Sequence, residues 1–386
     1  MTRPLRICVP FVGDSVGGSH MSMLLAIENL DRDRYDPMLV LHKDGPLAAH
    51  LRDRRIPYRR LPLPGYAGTV PSVPRIAGAA LRAAPRLRAF LREEAVDLVH
   101  GNDLRMNLTW PLACRWAGRP FLWHQRTLLS RSRLWRAIPL LATRVLCISQ
   151  AVAETLPRAA RPRADILYNP FRLPAGLPNH EQATADLRRE HGLPNDARIV
   201  AYVGRLVDQK RPETVLRGTA AMAARLDAPL HLLFIGRGAE TRIAALKQLA
   251  SELGFADRVH FSGFVYPVES ALVGCDLLVA AAVGDGFGRS LVEAMLVGVP
   301  VVASDSGGHR DIVADERTGL LFPPDDIPAL AEAGIRLLTD PTLRAEIAGR
   351  ARHAAADRFS VAAHVAGLSK TYAALVAGRP KERSTK

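Results

Sequence analysis

In the stretch GDGFGRSLVEAM, residues 284–295, Asp285 precedes the turn Gly286-Phe287-Gly288, and Glu293 follows after seven intervening residues. Two carboxylates beside a tight turn suit acid–base chemistry, metal binding or recognition of hydroxyl groups. A helix start is expected at about Arg289, where backbone N–H groups meet a ligand. Ser290-x-x-Glu293 also spells a capping box, which gives Glu293 a purely structural job. Capping and ligand binding both stay open on this stretch alone. Cations stand in GRLVDQKRPETVL, 204–216. Arg205 offers a planar fork and Lys210 a point charge, a pair suited to a diphosphate. The loop GDSVGGSHMS, 13–22, carries Gly17 and Gly18 before a helix, where close backbone approach favours an anion. It lacks the G-x-G-x-x-G spacing, so no dinucleotide fingerprint is read. Gly236 in FIGRGAE, and Phe264 and Val265 in FSGFVYP, end strands with glycine turns that could wall a nucleoside pocket. Asp31-Arg32-Asp33 is the sole Asp-x-Asp; it lies in NLDRDRYDP, built like a polar turn. No His/Cys cluster has metal spacing, and neither a metal nor a cofactor is expected.

These loops need elements to hold them. Strands are predicted at 6–12, 37–42, 96–100, 120–125 and 144–149, then at 198–204, 230–236, 258–263, 276–281 and 300–305, with helical patterns between them. Continuous apolar strands separated by helices predict parallel sheets covered on both faces. In AETRIAALKQLASELGF, Ile243, Leu246, Leu249 and Leu253 share one helix side, with Gly254 as the stop. The Pro-, Gly- and Asn-rich stretch 168–182 reads as an interdomain linker. Two doubly wound domains follow, with ligands expected beyond the carboxyl ends of the strands.

The chain has 386 residues, 48% hydrophobic and 23% charged, an ordinary balance for a globular protein of two domains. No apolar run is long enough to span a membrane. The four cysteines, Cys8, Cys114, Cys147 and Cys275, are widely spaced and read as small hydrophobes of a reduced, cytoplasmic protein. Residues 1–175 hold 27 Lys and Arg against 13 Asp and Glu, whereas 176–386 hold 25 of each. The whole net charge of +14 thus sits in the first half, which points to a polyanionic partner there. Arginines mixed with apolar residues at 75–93 and 126–144 resemble interfacial basic segments, although Pro85 and Pro139 interrupt them.

Two families are suggested. The first loop matches G-x-S-x-G through Gly13, Ser15 and Gly17, and its GDS resembles the GDS-type esterases, with Ser15 as nucleophile and echoes at 101–103 and 257–260. That family's histidine block closes a single domain, yet 126 residues follow His260. A lipase-like elbow also needs an oxyanion loop upstream, and only twelve residues precede Gly13. From Ala201 to Phe322, and more loosely through VGGSH, DLVHGND, WHQ, LCISQAV and YNPF, the chain resembles the retaining nucleotide-sugar glycosyltransferases of family four. Its acid, Gly-Phe-Gly and second acid stand here as Asp285, Gly286-Phe287-Gly288 and Glu293.

That resemblance implies the GT-B fold, an α/β architecture of two Rossmann-like domains facing across a cleft. The acceptor domain would be 1–173 completed by a C-terminal helix at about 358–377, the donor domain 174–357, and 378–386 a disordered tail. It implies that Glu293 meets the ribose, Asp285 a hydroxyl of the transferred sugar, Arg205 and Lys210 the diphosphate, Gly17 and Gly18 the distal phosphate, and His124 the donor sugar. The family usually has Glu where Asp285 stands. The expected reaction is metal-independent transfer from a nucleoside-diphosphate sugar, a co-substrate, to a lipid-linked or saccharide acceptor of the cell envelope. The expected place is the cytoplasm, peripherally on an anionic membrane face. A basic nucleic-acid-binding module is the non-catalytic rival, but aromatics are only 6% and no nucleic-acid-reading motif appears.

Overall fold

The computed structural model describes residues 3–63, 73–129 and 141–377. The chain divides into two compact units. One holds the chain up to Pro170 and again from Val361; the other is Phe171–Ser360. The boundaries expected at 173/174 and 357/358 each move by three residues, because Phe171 bridges Ser360 and its amide donates to the Phe359 carbonyl (2.8 Å). Both crossings are thereby tied within the second unit.

The first unit is built on β1 (Leu5–Phe11), β2 (Tyr35–Leu41), β3 (Tyr58–Arg60), β4 (Leu98–Gly101), β5 (Phe121–Gln125), β6 (Arg144–Cys147) and β7 (Ala164–Ile166). All pairs are parallel, in the order β3-β2-β1-β4-β5-β6-β7. Ile7, Cys8, Val9 and Phe11 are all fully buried, as a central parallel strand covered on both faces requires. The helix Val361–Ala377 returns to this unit and places Leu368, Tyr372 and Leu375 in its core.

The second unit holds β8 (Arg198–Val203), β9 (Leu230–Ile235), β10 (Val259–Gly263), β11 (Leu277–Ala280), β12 (Val301–Ser304) and β13 (Leu320–Phe322). Its order is β10-β9-β8-β11-β12-β13, again all parallel. In each sheet the strand order reverses beside the first strand, between β1 and β4 and between β8 and β11. Loops at such a switch point part to opposite faces and leave a crevice for ligands.

Three expectations change. Pro85 does not interrupt its segment: one helix runs Val73–Glu93. Pro85 faces solvent beside the exposed Leu81, so water can take the carbonyl that loses its donor. That helix also buries its apolar side, Ile76, Ala79, Ala83, Leu87 and Leu91, within its own unit, against the helix Pro111–Ala117. Arg75, Arg82, Arg86 and Arg92 stay exposed. Leu253, expected on the buried side of its helix, follows Glu240–Glu252 and is exposed. Most of 126–144, and the tail 378–386, lie outside the described residues. All four cysteines are buried free thiols. Among the described residues no helix is long and apolar enough to cross a membrane.

Candidate functional site

In the second unit the loops after β8 and β11 meet at the switch point. Val283 donates its amide to the Gln209 carbonyl (3.1 Å), and Gln209 Nε2 donates to the Gly284 carbonyl (3.0 Å). Next to this seam Lys210 Nζ donates to Asp285 Oδ2 in a short ion pair. Burial pulls the Asp285 carboxyl up, but the Lys210 charge and hydrogen bond, with His309 and the Phe287 amide, more than offset it and hold it below the ordinary value. Two residues assigned to opposite ends of one ligand, phosphate and sugar, thus sit within bonding distance of each other.

The loop's shape is fixed from behind. Gly308 packs so closely under it that a Cβ there would lie 2.6 Å from the Gly286 carbonyl oxygen and from Phe287 Cα. The Gly308 amide donates to the Asp285 carbonyl (2.8 Å). His309 is buried, shares Nδ1 with the Ser304 hydroxyl (3.1 Å), and is pushed down to about 4, chiefly by burial. Nothing in the pattern of Gly307, Gly308 and His309 marks this role in the sequence.

The capping-box expectation fails. The helix is Arg289–Leu296 with Gly288 at its N-cap in a left-handed conformation (φ 102°), and no side chain caps it. Ser290 therefore lies inside the first turn, and Glu293 is free of the capping role. Glu293 instead accepts from Arg289 (3.3 Å), whose guanidinium lies 4.3 Å from the centre of the Phe171 ring. Phe287 stacks on Phe171 and meets Phe359 edge-on. Burial raises the Glu293 carboxyl, Glu269 adds to this, and Arg289 offsets it only in part. Phe359 had no signal beyond being aromatic, and Phe171 closed the YNPF stretch without a role of its own.

Arg205 is exposed at the same loop and makes no ion pair among the described residues; its carbonyl accepts from the Tyr202 hydroxyl (2.7 Å). Gly236 owes its identity to packing: a Cβ would lie 1.9 Å from the Gly204 carbonyl oxygen. Phe264 is 62% exposed under the Arg237 guanidinium (4.8 Å), with Val265 half-buried beside it.

In the first unit, Asp14 and Arg105 join the loops after β1 and β4 through a two-pronged pair (2.6 and 2.7 Å). The Arg105 hydrogen bond leads in holding Asp14 below its ordinary value. Gly17 is the N-cap of the helix Gly18–Glu28, but its amide already donates to His20 Nδ1 (3.1 Å). Gly18 then opens the exposed helix start. Arg126, read from the sequence as part of an interfacial basic segment, instead donates to Asn102 Oδ1 (2.6 and 3.0 Å) and Asn169 Oδ1 (2.5 Å). His124, fully buried at the end of β5, shares Nδ1 with His100 Nε2 (3.1 Å), while its Nε2 has no hydrogen-bond partner among the described residues.

Two rival sites lose their geometry. Ser15 pairs with no histidine among the described residues, and His260 shares a hydrogen bond with His231 (3.1 Å). Asp31 Oδ1 accepts the Asp33 amide (3.0 Å), so Asp31-Arg32-Asp33 is a turn that bonds to itself.

The site and fold define a class first: a two-unit, doubly wound α/β protein with charged loops at the switch points. Solved structures of the GT-B fold match nearly the whole chain. A glycosyltransferase from Rickettsia africae superposes with TM-score 0.82 at 16% identity, covering 98% of this chain and 100% of that one. Anabaena HepE, solved with UDP-glucose, superposes with TM-score 0.78 at 23% identity, covering 96% and 100%. The model of "Glycosyl transferases group 1" matches residues 183–354, and that of "Glycosyltransferase Family 4" matches 16–173. The chain belongs to this glycosyltransferase family. Among curated relatives, the D-inositol 3-phosphate glycosyltransferase of Stackebrandtia nassauensis is 32% identical over 67% of this chain and 64% of its own length. The enzyme of that name from Corynebacterium urealyticum is 36% identical over 46% and 44%. The matches to these relatives span about half to two thirds of the relatives' length.

Proposed function

We propose that the protein transfers a sugar from a nucleoside-diphosphate donor to an acceptor hydroxyl, with the donor held in the second unit. The observation that carries this is the Lys210–Asp285 pair at the β8/β11 switch point, beside Arg205 and ahead of Glu293. A diphosphate needs cations and a sugar needs hydroxyl acceptors, and both are joined there. HepE, solved with UDP-glucose, makes UDP-sugars the first donors to try.

In the transfer, the bond from the anomeric carbon to the phosphate oxygen breaks and its electron pair leaves with the diphosphate. The acceptor oxygen bonds the same carbon, and its proton passes to the departing phosphate oxygen. Negative charge thus grows at the phosphate, where Lys210 and Arg205 stabilise it. Asp285, released from Lys210, accepts from a sugar hydroxyl; Glu293 accepts from the ribose. No carboxylate is set aside as a covalent nucleophile in this reading, so retention proceeds on one face of the sugar. A β-linked product from an α-linked donor would overturn that step. The acceptor is read as a lipid-linked or saccharide hydroxyl met at an anionic surface; D-inositol 3-phosphate belongs in the acceptor panel because several relatives bear its name.

A thermal-shift panel of nucleoside diphosphates and nucleotide sugars tests the donor. At 100 times its Kd a ligand stabilises by about 2.7 kcal/mol. At least one nucleotide sugar should raise the Tm. Lys210→Ala should lower kcat a hundred- to thousandfold, since removing one donor to developing charge costs about 3–4 kcal/mol. Silence across the panel, or labelling of Ser15 by a fluorophosphonate, would defeat the reading.

A further inference from the structure

The first unit buries three imidazoles together: His100 from β4, His124 from β5 and His364 from the returning helix Val361–Ala377. The rings of His100 and His124 stack at 5.3 Å, and those of His124 and His364 lie nearly parallel at 6.4 Å. Tyr372, from the same helix, sits at the far end: its hydroxyl lies 2.7 Å from His100 Nδ1, its one hydrogen-bond partner among the described residues.

We infer that Tyr372 and His100 are positioning residues that set the tautomer of His124 and make its Nε2 a hydrogen-bond donor. The direction of the chain follows from its closed end. The phenol of Tyr372 is fully buried, so its proton needs an acceptor, and His100 Nδ1 is the one in reach. His100 then carries its proton on Nε2 and donates to His124 Nδ1 (3.1 Å). His124 Nδ1 is thereby an acceptor, and the proton of the neutral ring must be on Nε2. The reverse direction would leave a buried phenol proton with no acceptor.

All three rings are neutral near pH 7: burial first, and the Arg126 charge with it, drives His100 and His124 well below the ordinary histidine value, and burial holds His364 at about 4. His364 is set in the opposite sense. Its Nδ1 donates to the Tyr168 carbonyl (2.6 Å), so its Nε2, without a partner among the described residues, is an acceptor. His124 Nε2 is buried and likewise has no partner among the described residues, a donor left for a ligand. Its use on a donor-sugar hydroxyl rests on the function proposed above. The consequence is specific: His124 donates to a sugar oxygen and is not a base that takes the acceptor's proton.

Selective 15N-histidine labelling of the full chain, with long-range 15N–1H correlation, reads the tautomers directly. Wild-type His124 should show a protonated Nε2 and an unprotonated Nδ1. Tyr372→Phe keeps the ring and removes the proton source, so both His124 nitrogens should move toward intermediate shifts while the remaining histidine signals report an intact fold. A protonated Nδ1 on wild-type His124 overturns the relay, as do unchanged His124 shifts in Tyr372→Phe. The wild-type spectrum alone decides the direction if the variant fails to fold. Isothermal titration with UDP and with UDP-glucose then separates the two readings. Tyr372→Phe should weaken UDP-glucose severalfold and leave UDP unchanged. Failure of wild type to bind either nucleotide counts against the proposed function alone, because the nitrogen shifts need no ligand.

Discussion

Asp285 meets a lysine before it meets any substrate, and this changes what its short side chain means. The family resemblance implies Glu at this position. One methylene less shortens reach by about 1.5 Å, and here the shorter carboxylate is held by Lys210 from the neighbouring loop. Glu293 shows the opposite balance. Burial raises its carboxyl above the ordinary value, so the charged form weighs against the folded state once the pH exceeds the unfolded value of about 4.5. Glu293→Gln should therefore raise the Tm near pH 7, with a gain that shrinks to nothing as the pH falls below about 4.5. The same change removes a charged acceptor for two hydroxyls; such hydrogen bonds contribute roughly 1.5–3 kcal/mol, so nucleotide affinity should drop about ten- to a hundredfold. Calorimetry of unfolding and of binding on one sample checks both signs. A lower Tm at pH 7 with unchanged affinity would return Glu293 to a structural role. Residue types and spacing singled out Asp285, Lys210 and Glu293 in the sequence as candidates. The bond between Lys210 and Asp285 was not legible there, because 75 positions separate them and only the order β8-β11 makes their loops neighbours. His364 and Tyr372 carried no local pattern, and His100 stood in DLVHGND without a role; their meeting depends on a helix returning from the end of the chain.

The elements that position the site are joined by backbone where side chains do not fit. At the ends of β8, β9 and β10, Gly204 donates its amide to the Ile235 carbonyl (2.9 Å), and Gly236 donates to the Gly263 carbonyl (2.6 Å). Gly236 has φ 153° and no room for a Cβ against Gly204. Gly236→Ala must push these loops apart. Strained backbone of this kind costs about 1–3 kcal/mol, and the displaced segment carries Arg205. The expected outcome is a lower Tm together with weaker nucleotide binding, read by thermal shift with and without UDP. A variant with a lower Tm but wild-type UDP affinity would show that this seam does not shape the site. The ten strands expected from apolar runs are all present, within two residues at either end. Three others, β3, β7 and β13, were missed, and each is a three-residue edge strand. An edge strand shares only one neighbour and needs less apolar sequence: Tyr58-Arg59-Arg60 and Ala164-Asp165-Ile166 are largely exposed, so no hydrophobic run announces them.

At the scale of the whole chain the charge asymmetry becomes sharper once the units replace the halves. The unit made of 1–170 and 361–386 carries 31 Lys and Arg against 14 Asp and Glu; Phe171–Ser360 carries 21 against 24. One unit is strongly basic and the other slightly acidic, so non-specific attraction to a polyanion belongs to one unit alone. The helix Val73–Glu93 shows how such a surface would work. Its apolar side is buried in its own unit, which leaves Arg75, Arg82, Arg86 and Arg92 outside, with Leu81 among them. Insertion by the apolar face of this helix is therefore unavailable, and its attachment to an anionic bilayer would be electrostatic. Basic residues near such a surface contribute about 1 kcal/mol each, and screening shortens their range from about 10 Å at 0.1 M salt to 3 Å at 1 M. Vesicles containing phosphatidylglycerol should retain the protein at low salt and release it as salt rises, while neutral phosphatidylcholine vesicles retain little. Arg82→Ala with Arg86→Ala should weaken retention roughly thirtyfold, from about 2 kcal/mol lost, and leave the thermal shift with UDP unchanged. Equal retention on neutral and anionic vesicles at low salt would remove the membrane from the proposal and leave the basic unit to a phosphorylated acceptor.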